Sequence, residues 1–116
     1  MESYNNVIIE NSKGEKEIIS IDKIKYMEAD RRRLKLNIGN GKNYYIKVKI
    51  SDFEKDLDKY EGFIRVSRSY IINVIHVEHW KKRVRVIGEK AISISPRRYT
   101  DFEKEILKVG KVLNKE

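Results

Sequence analysis

The sequence predicts a mainly β chain of short antiparallel sheets, with one short mid-chain helix and a C-terminal helix. Three observations lead there. Apolar and polar residues alternate over most of the chain, as half-buried strands require. Compact turns rich in Gly, Asn and Ser separate the alternating stretches. The spacing turns helical only around residues 51–60 and again after Pro96.

Taken in order, VIIE (7–10) and EIIS (17–20) flank NSKGEK, whose Asn, Ser and Gly suit a hairpin turn. KIKYMEA (23–29) alternates, with Ile24, Tyr26 and Glu28 on one side. Past Asp30 and three consecutive arginines, LKLNI (34–38) alternates again. Gly39-Asn40-Gly41 supplies a tight turn, its glycines tolerating positive φ, before YYIKVKI (44–50). The expectation for these pieces is an antiparallel meander with one buried face. In SDFEKDLDKY (51–60), Phe53, Leu57 and Tyr60 recur as one helical stripe. Ser51 or Asp52 serves as N-cap, and Glu54 completes a capping box with Ser51. Gly62 ends that connection.

Strand character returns at Phe63 and runs to about Ile94. VIHVEHW (74–80) and RVRVIG (83–88) surround Lys81-Lys82, a basic hairpin tip. Gly88-Glu89 turns the chain into KAISIS (90–95), and Pro96 stops the strand. From Arg97 the pattern is helical, with Tyr99, Phe102, Ile106 and Val109 or Leu113 on one face. Gly110 and the lysine-rich end mark residues 108–116 as a frayed tail. No repeat or linker divides the chain, so residues 1–116 are expected to form one domain.

A chain of 116 residues supplies one core and not two. It has no cysteine, which excludes disulfides and thiolate metal sites. No apolar run approaches the ~20 residues of a membrane span, and the N-terminus lacks signal-peptide features, so a cytoplasmic location is expected. The net charge is +8, and it is unevenly placed. Residues 63–100 hold nine basic and two acidic groups, against thirteen and twelve in residues 1–62 and four and four in 101–116. Charge gathered into a third of the chain describes one basic face, for which nucleic acid is the natural polyanionic partner. A generally lysine-rich, solvated surface is the plainer alternative.

Catalytic chemistry is sparse. His76 and His79 lie three apart on an expected strand, so they point to opposite faces and cannot chelate one metal. There is no GxxxxGK[ST] phosphate loop, no GxGxxG and no nucleophile elbow. Glu28 and Asp30 are carboxylates at a strand end, and Glu28 suits an arginine partner. Neither an enzyme nor a metal or cofactor is expected.

Three arginine clusters stand at element boundaries: Arg31-Arg32-Arg33, Arg65 with Arg68, and Arg97-Arg98. The planar guanidinium fork grips guanine or phosphate in bidentate fashion, which the point charge of lysine cannot do. Ser67, Ser69, Ser93 and Ser95 stand beside these clusters as hydroxyl donors to phosphate. Each cluster also has a plain structural reading. Arg31–Arg33 suit a solvated turn, and Arg65 suits a strand residue facing solvent or pairing with Glu28. Arg97-Arg98 suit a first helical turn, although the helix dipole there disfavours cations, so a bound anion would account for them. No aromatic platform for RNA and no paired recognition helices are present, which leaves a strand-and-loop reader of DNA.

The order KIKYMEAD, YYIKVKISDFEKDL, FIRVSRSYIINVIHVEHW and ISISPRRYTDFEK, over Ile18 to Leu107, resembles the LytTR DNA-binding domain of bacterial transcription regulators. The most specific piece is Phe63–Asn73, set against the family pattern F-x-R-x-H-R-S-[FY]-x-V-N, with Ser67 where the family has histidine. The resemblance implies a LytTR-like β fold that inserts loops into successive major grooves of bent duplex DNA. Carried onto this sequence, it implies base reading by Arg32, Arg33, Arg68 and Arg97. Arg31, Arg65, Ser67, Ser69, Lys81, Lys82, Ser95 and Arg98 would contact phosphate or support the readers. Ser95-Pro96-Arg97-Arg98 replaces the family's Ser-Arg, so the register there is open by one residue.

The implied partner is double-stranded DNA, at direct-repeat sites that seat two copies. A receiver domain or partner regulator would lie outside this chain, which then acts as an output domain or as a stand-alone regulator. Competing classes are a basic module for an acidic protein or membrane surface, and a non-specific RNA binder.

Overall fold

The computed structural model describes residues 3–116. Strands β1 (Asn6–Glu10) and β2 (Lys16–Ser20) form a hairpin of their own. Its loop is closed by the Asn11 side chain, whose Oδ1 accepts from the Lys13 and Glu15 amides. Strands β3 (Tyr26–Asp30), β4 (Arg33–Asn37) and β5 (Asn43–Ile46) meander as expected. Strands β6 (Phe63–Arg65) and β7 (Tyr70–Asn73) then join the other side of β3, giving a five-stranded sheet ordered β5-β4-β3-β7-β6. Strands β8 (Val77–Trp80), β9 (Arg83–Val86) and β10 (Ala91–Ser93) make a three-stranded sheet. All of these pairings are antiparallel.

The central sheet is covered on both faces, where a single buried face was expected. Met27, Leu36 and Ile71 sit opposite one another across β3, β4 and β7 and belong to one core. The β1–β2 hairpin covers that face through Val7 and Ile19, together with Ile50 of α1 (Ile50–Glu54). Tyr26 and Ile72 face the other way, into a second core. There they meet Val84, Val86 and Ile92 of the three-stranded sheet and Phe102 and Ile106 of α2 (Tyr99–Ile106). Phe102 is wholly buried, and a burial of that size stabilises the fold by about 2–3 kcal/mol.

Both helical segments are shorter than their spacing predicts. Strand β5 stops at Ile46, the chain turns at Val48, and α1 is little more than one turn. Lys49 occupies its N-cap position without a side-chain cap, so the expected capping box does not form. A 3-10 turn at Leu57–Lys59 completes the connection. Phe53, Leu57 and Tyr60 still pack together on the first core, and the rings of Phe53 and Tyr60 stack at 5.6 Å. A stripe at this spacing is satisfied by an interrupted helix as well as by a continuous one.

The C-terminal helix ends at Ile106. Val109 and Leu113 lie beyond it, and Leu113 is 82% exposed, so neither extends the buried face. The expected strand after Asn73 is broken by a 3-10 turn at Val74–His76. His76 lies in that turn, where its Nε2–H donates to the Asp22 carbonyl, and His79 lies on β8 beside Glu78. The two histidines therefore do not share one strand. Among the described residues no helix is long and apolar enough to cross a membrane.

Candidate nucleic-acid interface

Four polar loops lie at neighbouring strand ends. Asp30 pairs with Arg33 at the end of the β3–β4 ladder, leaving Arg31 and Arg32 as a two-residue hairpin loop. Arg31 adopts φ 60°, a left-handed conformation at a place where hairpins ordinarily carry Gly. The second loop, Ser67–Ser69, is closed by the Val66 amide donating to the Tyr70 carbonyl at 3.0 Å. Inside it the Ser67 hydroxyl accepts from the Ser69 amide. Ser67, which departs from the family pattern, thus shapes the loop that carries Arg68. Lys81-Lys82 form the β8–β9 tip, as expected, with the Lys81 amide bonded to the Arg83 carbonyl. The fourth loop runs from Ser95 through a 3-10 turn at Pro96–Arg98.

Backbone hydrogen bonds join these loops into a row. The Ala29 amide donates to the Ser69 carbonyl at 2.8 Å, which sets the Arg31-Arg32 hairpin beside the Arg68 loop. The Ser95 amide donates to the Val66 carbonyl at 2.7 Å, and the Ile94 amide to the Lys82 carbonyl at 3.2 Å. The order across the molecule is therefore hairpin 31–32, loop 67–69, turn 95–98, tip 81–82. Arg31, Arg32, Arg68, Arg97, Lys81 and Lys82 are all exposed along it.

The remaining arginines of the three clusters are already engaged. Arg33 pairs with Asp30, and its guanidinium lies 4.3 Å from the centroid of the Tyr45 ring. Arg65 does not reach Glu28. It is only 11% exposed, and its Nη1 donates to Glu54 Oε1 at 2.6 Å. Its Nε and Nη2 donate to the carbonyls of Ser67 and Arg68, at 3.0 and 2.9 Å. Arg98 Nη1 donates to the other oxygen of the same carboxylate at 2.8 Å. The anion that accounts for an arginine at this helix start is therefore internal, and it is Glu54. Burial alone pushes the Glu54 carboxyl upward. Hydrogen bonds from Arg98 and Arg65, with their charges, outweigh that and hold it below the usual carboxylate range.

Glu28 has other partners. The Tyr70 hydroxyl donates to its Oε2 at 3.0 Å, and the ammonium groups of Lys35 and Lys90 stand 3.4 and 3.8 Å from its Oε1. Lys90 also lies over the Tyr70 ring. Tyr70 and Lys90 border a concavity of about 550 Å3 between the Arg68 loop and β9–β10. Arg68, Arg83 and Lys90 line it with Ser67, Ser69, Ser93 and Ser95, over a floor that includes Ala91 and Ile92. A groove walled by cations and hydroxyls, and open to solvent, suits a phosphate backbone. Arg83, Lys90 and Glu54 are absent from the sequence-based set of site residues. Arg83 carried a signal, since it is an outward position of RVRV next to Lys81-Lys82. Glu54 carried only a misleading one, its capping-box spacing.

The family model of the LytTr DNA-binding domain matches residues 14–107. Among solved structures, the chain is similar to the LytTr DNA-binding domain of a Bacillus cereus protein described as a methyl-accepting/DNA response regulator. The TM-score is 0.69 at 21% identity, over 90% of this chain and 98% of that one. No sequence among the curated proteins matches. The three short antiparallel sheets and terminal helix are those of the structural neighbour, and the matched region takes in all four loops. With most of its length covered by that family model, the chain belongs to the LytTr family of DNA-binding domains of transcription regulators.

Proposed function

We propose that the chain recognises a specific duplex sequence by presenting its row of loops to successive major grooves. The observation that carries this reading is the chain of backbone hydrogen bonds linking the loops through Ala29–Ser69, Val66–Ser95 and Lys82–Ile94. It sets the loops side by side in one row, as base reading at several positions requires. Arg32, Arg68 and Arg97 are the base readers, because each is exposed at a loop apex and holds no ion pair among the described residues. Arg33, held by Asp30 and Tyr45, is a lesser candidate for the hairpin, and Arg98, held by Glu54, for the last turn. Arg31, Ser69, Lys81, Lys82 and Ser95 contact phosphate, joined by Arg83 and Lys90 along the groove. Arg65 and Ser67 support the Arg68 loop from behind. Two copies on a direct repeat, under a receiver domain or acting alone, complete the role as a cytoplasmic transcription regulator.

Selection from random duplexes, followed by salt titration on the enriched sequence, tests this reading. A short motif should emerge, with affinity falling steeply in salt as several phosphates are neutralised. Arg68→Ala should cost ~1–3 kcal/mol on the motif and relax one base pair, whereas Lys81→Ala should weaken all duplexes alike. Absence of any enriched motif, or tighter retention of single-stranded RNA, would refute it.

A further inference from the structure

We infer that Glu54 is a positioning residue for sequence discrimination, which fixes the Arg68 loop and the Arg97 turn relative to each other and keeps the Arg98 guanidinium off the DNA backbone. The inference rests on the reading of those loops as DNA readers. Glu54 is the last residue of α1 and belongs to neither loop. Its two carboxylate oxygens are divided between them, with Oε1 on Arg65 and Oε2 on Arg98. Arg65 passes the constraint on, since its other nitrogens hold the carbonyls of Ser67 and of Arg68 itself. Arg98 passes it to its neighbour Arg97. The backbone bond from Ser95 to Val66 ties the two loops along one line, and a single hydrogen bond leaves rotation about itself. The carboxylate supplies a second tie away from that line. The three side chains are 11%, 32% and 22% exposed for Arg65, Glu54 and Arg98, so these bonds are charge-assisted and partly shielded from water.

The second consequence is electrostatic. An unpaired Arg98 would attract phosphate whatever the sequence, and neutralisation by Glu54 removes that indiscriminate term. The carboxylate therefore raises discrimination from both sides, by aligning the readers and by neutralising a cation beside them.

The test measures binding of Glu54→Gln and Glu54→Asp to the enriched duplex and to random duplex across a salt series, with thermal unfolding as the control. Glu54→Gln should keep or raise random-duplex affinity, with a salt slope steeper by up to about 0.9. Its ratio of specific to random affinity should fall about tenfold, the discrimination of one base contact. Glu54→Asp keeps the charge but is too short to hold both arginines. It should lose part of the ratio with the slope unchanged, and it carries the test should Glu54→Gln not fold. A wild-type ratio in Glu54→Asp, or equal losses on both duplexes that follow the melting temperature, would overturn the inference. A wild-type chain with no ratio to lose overturns the DNA-reading role as well.

Discussion

Replacing Arg31 with glycine should move stability and binding in opposite directions. Arg31 holds φ 60°, where an L side chain costs roughly 1–2 kcal/mol relative to its preferred conformations. Glycine adopts that conformation freely but loses about 0.5–1 kcal/mol more backbone freedom on folding. The side chain is exposed and makes no ion pair among the described residues, so little is lost with it. The balance is a gain of about 0.5–1 kcal/mol. In a chain of this length that raises the melting temperature by about 2–4 °C. The lost guanidinium should meanwhile flatten the salt dependence of duplex binding by about 0.9 in slope. Thermal unfolding by circular dichroism reads the first effect, and fluorescence anisotropy at several salt concentrations reads the second. A lower melting temperature in Arg31→Gly would refute the strain argument, and an unchanged slope would remove Arg31 from the phosphate contacts. Both effects together would mark a position where the fold tolerates strain for the sake of a ligand.

Arg65→Met should destabilise the chain by about 3 kcal/mol, because it removes charge-assisted donors from Glu54 and from two loop carbonyls. That corresponds to a melting temperature about 10 °C lower, and a loss under ~2 °C would contradict the role given to Arg65. The pH dependence follows from the depressed Glu54 carboxyl. On acidification the unfolded chain takes up this proton first, so the stabilisation is complete above the unfolded carboxyl value of about 4.3. It is lost as pH falls through the lower folded value. The stability gap between wild type and Glu54→Gln should stay level from pH 7 to about 5 and close below about 4; a gap unchanged in acid would refute this. Gly62→Ala should lower the melting temperature by at least about 4 °C, since Gly62 holds φ +92° and a Cβ would stand 3.3 Å from the buried Asn73 Oδ1. Binding measured well below the transition should be unaffected.

The strands were legible because alternation is a local signal that tertiary packing reinforces. Val84 and Val86 are buried while Arg83 and Arg85 are exposed, as RVRV implies. The helices were legible only in kind. Phe53, Leu57 and Tyr60 satisfy both a continuous helix and a turn with a 3-10 extension, and spacing alone cannot separate them. Val109 and Leu113 keep the spacing of Phe102 and Ile106 without the core that would make it matter. The two-sided burial of β3 was hidden because Glu28 and Lys35, which pair with each other, make the face that carries Tyr26 read as polar. Loop clustering was visible as arginines at element boundaries, but their partners were not. Arg65 and Arg98 meet a carboxylate 11 and 44 positions away in sequence, and no periodicity records a contact of that kind.

The seams between the loops also bear on how such a chain changes over time. Bonds from Ala29 to Ser69, Ser95 to Val66 and Ile94 to Lys82 are made by backbone atoms, so they survive almost any side-chain replacement at the apices. On the proposed reading, the letters read at positions 32, 68 and 97 can drift by single substitutions. The spacing between those letters belongs to the peptide backbone and resists the same drift. Related chains should therefore diverge in operator sequence far sooner than in operator length.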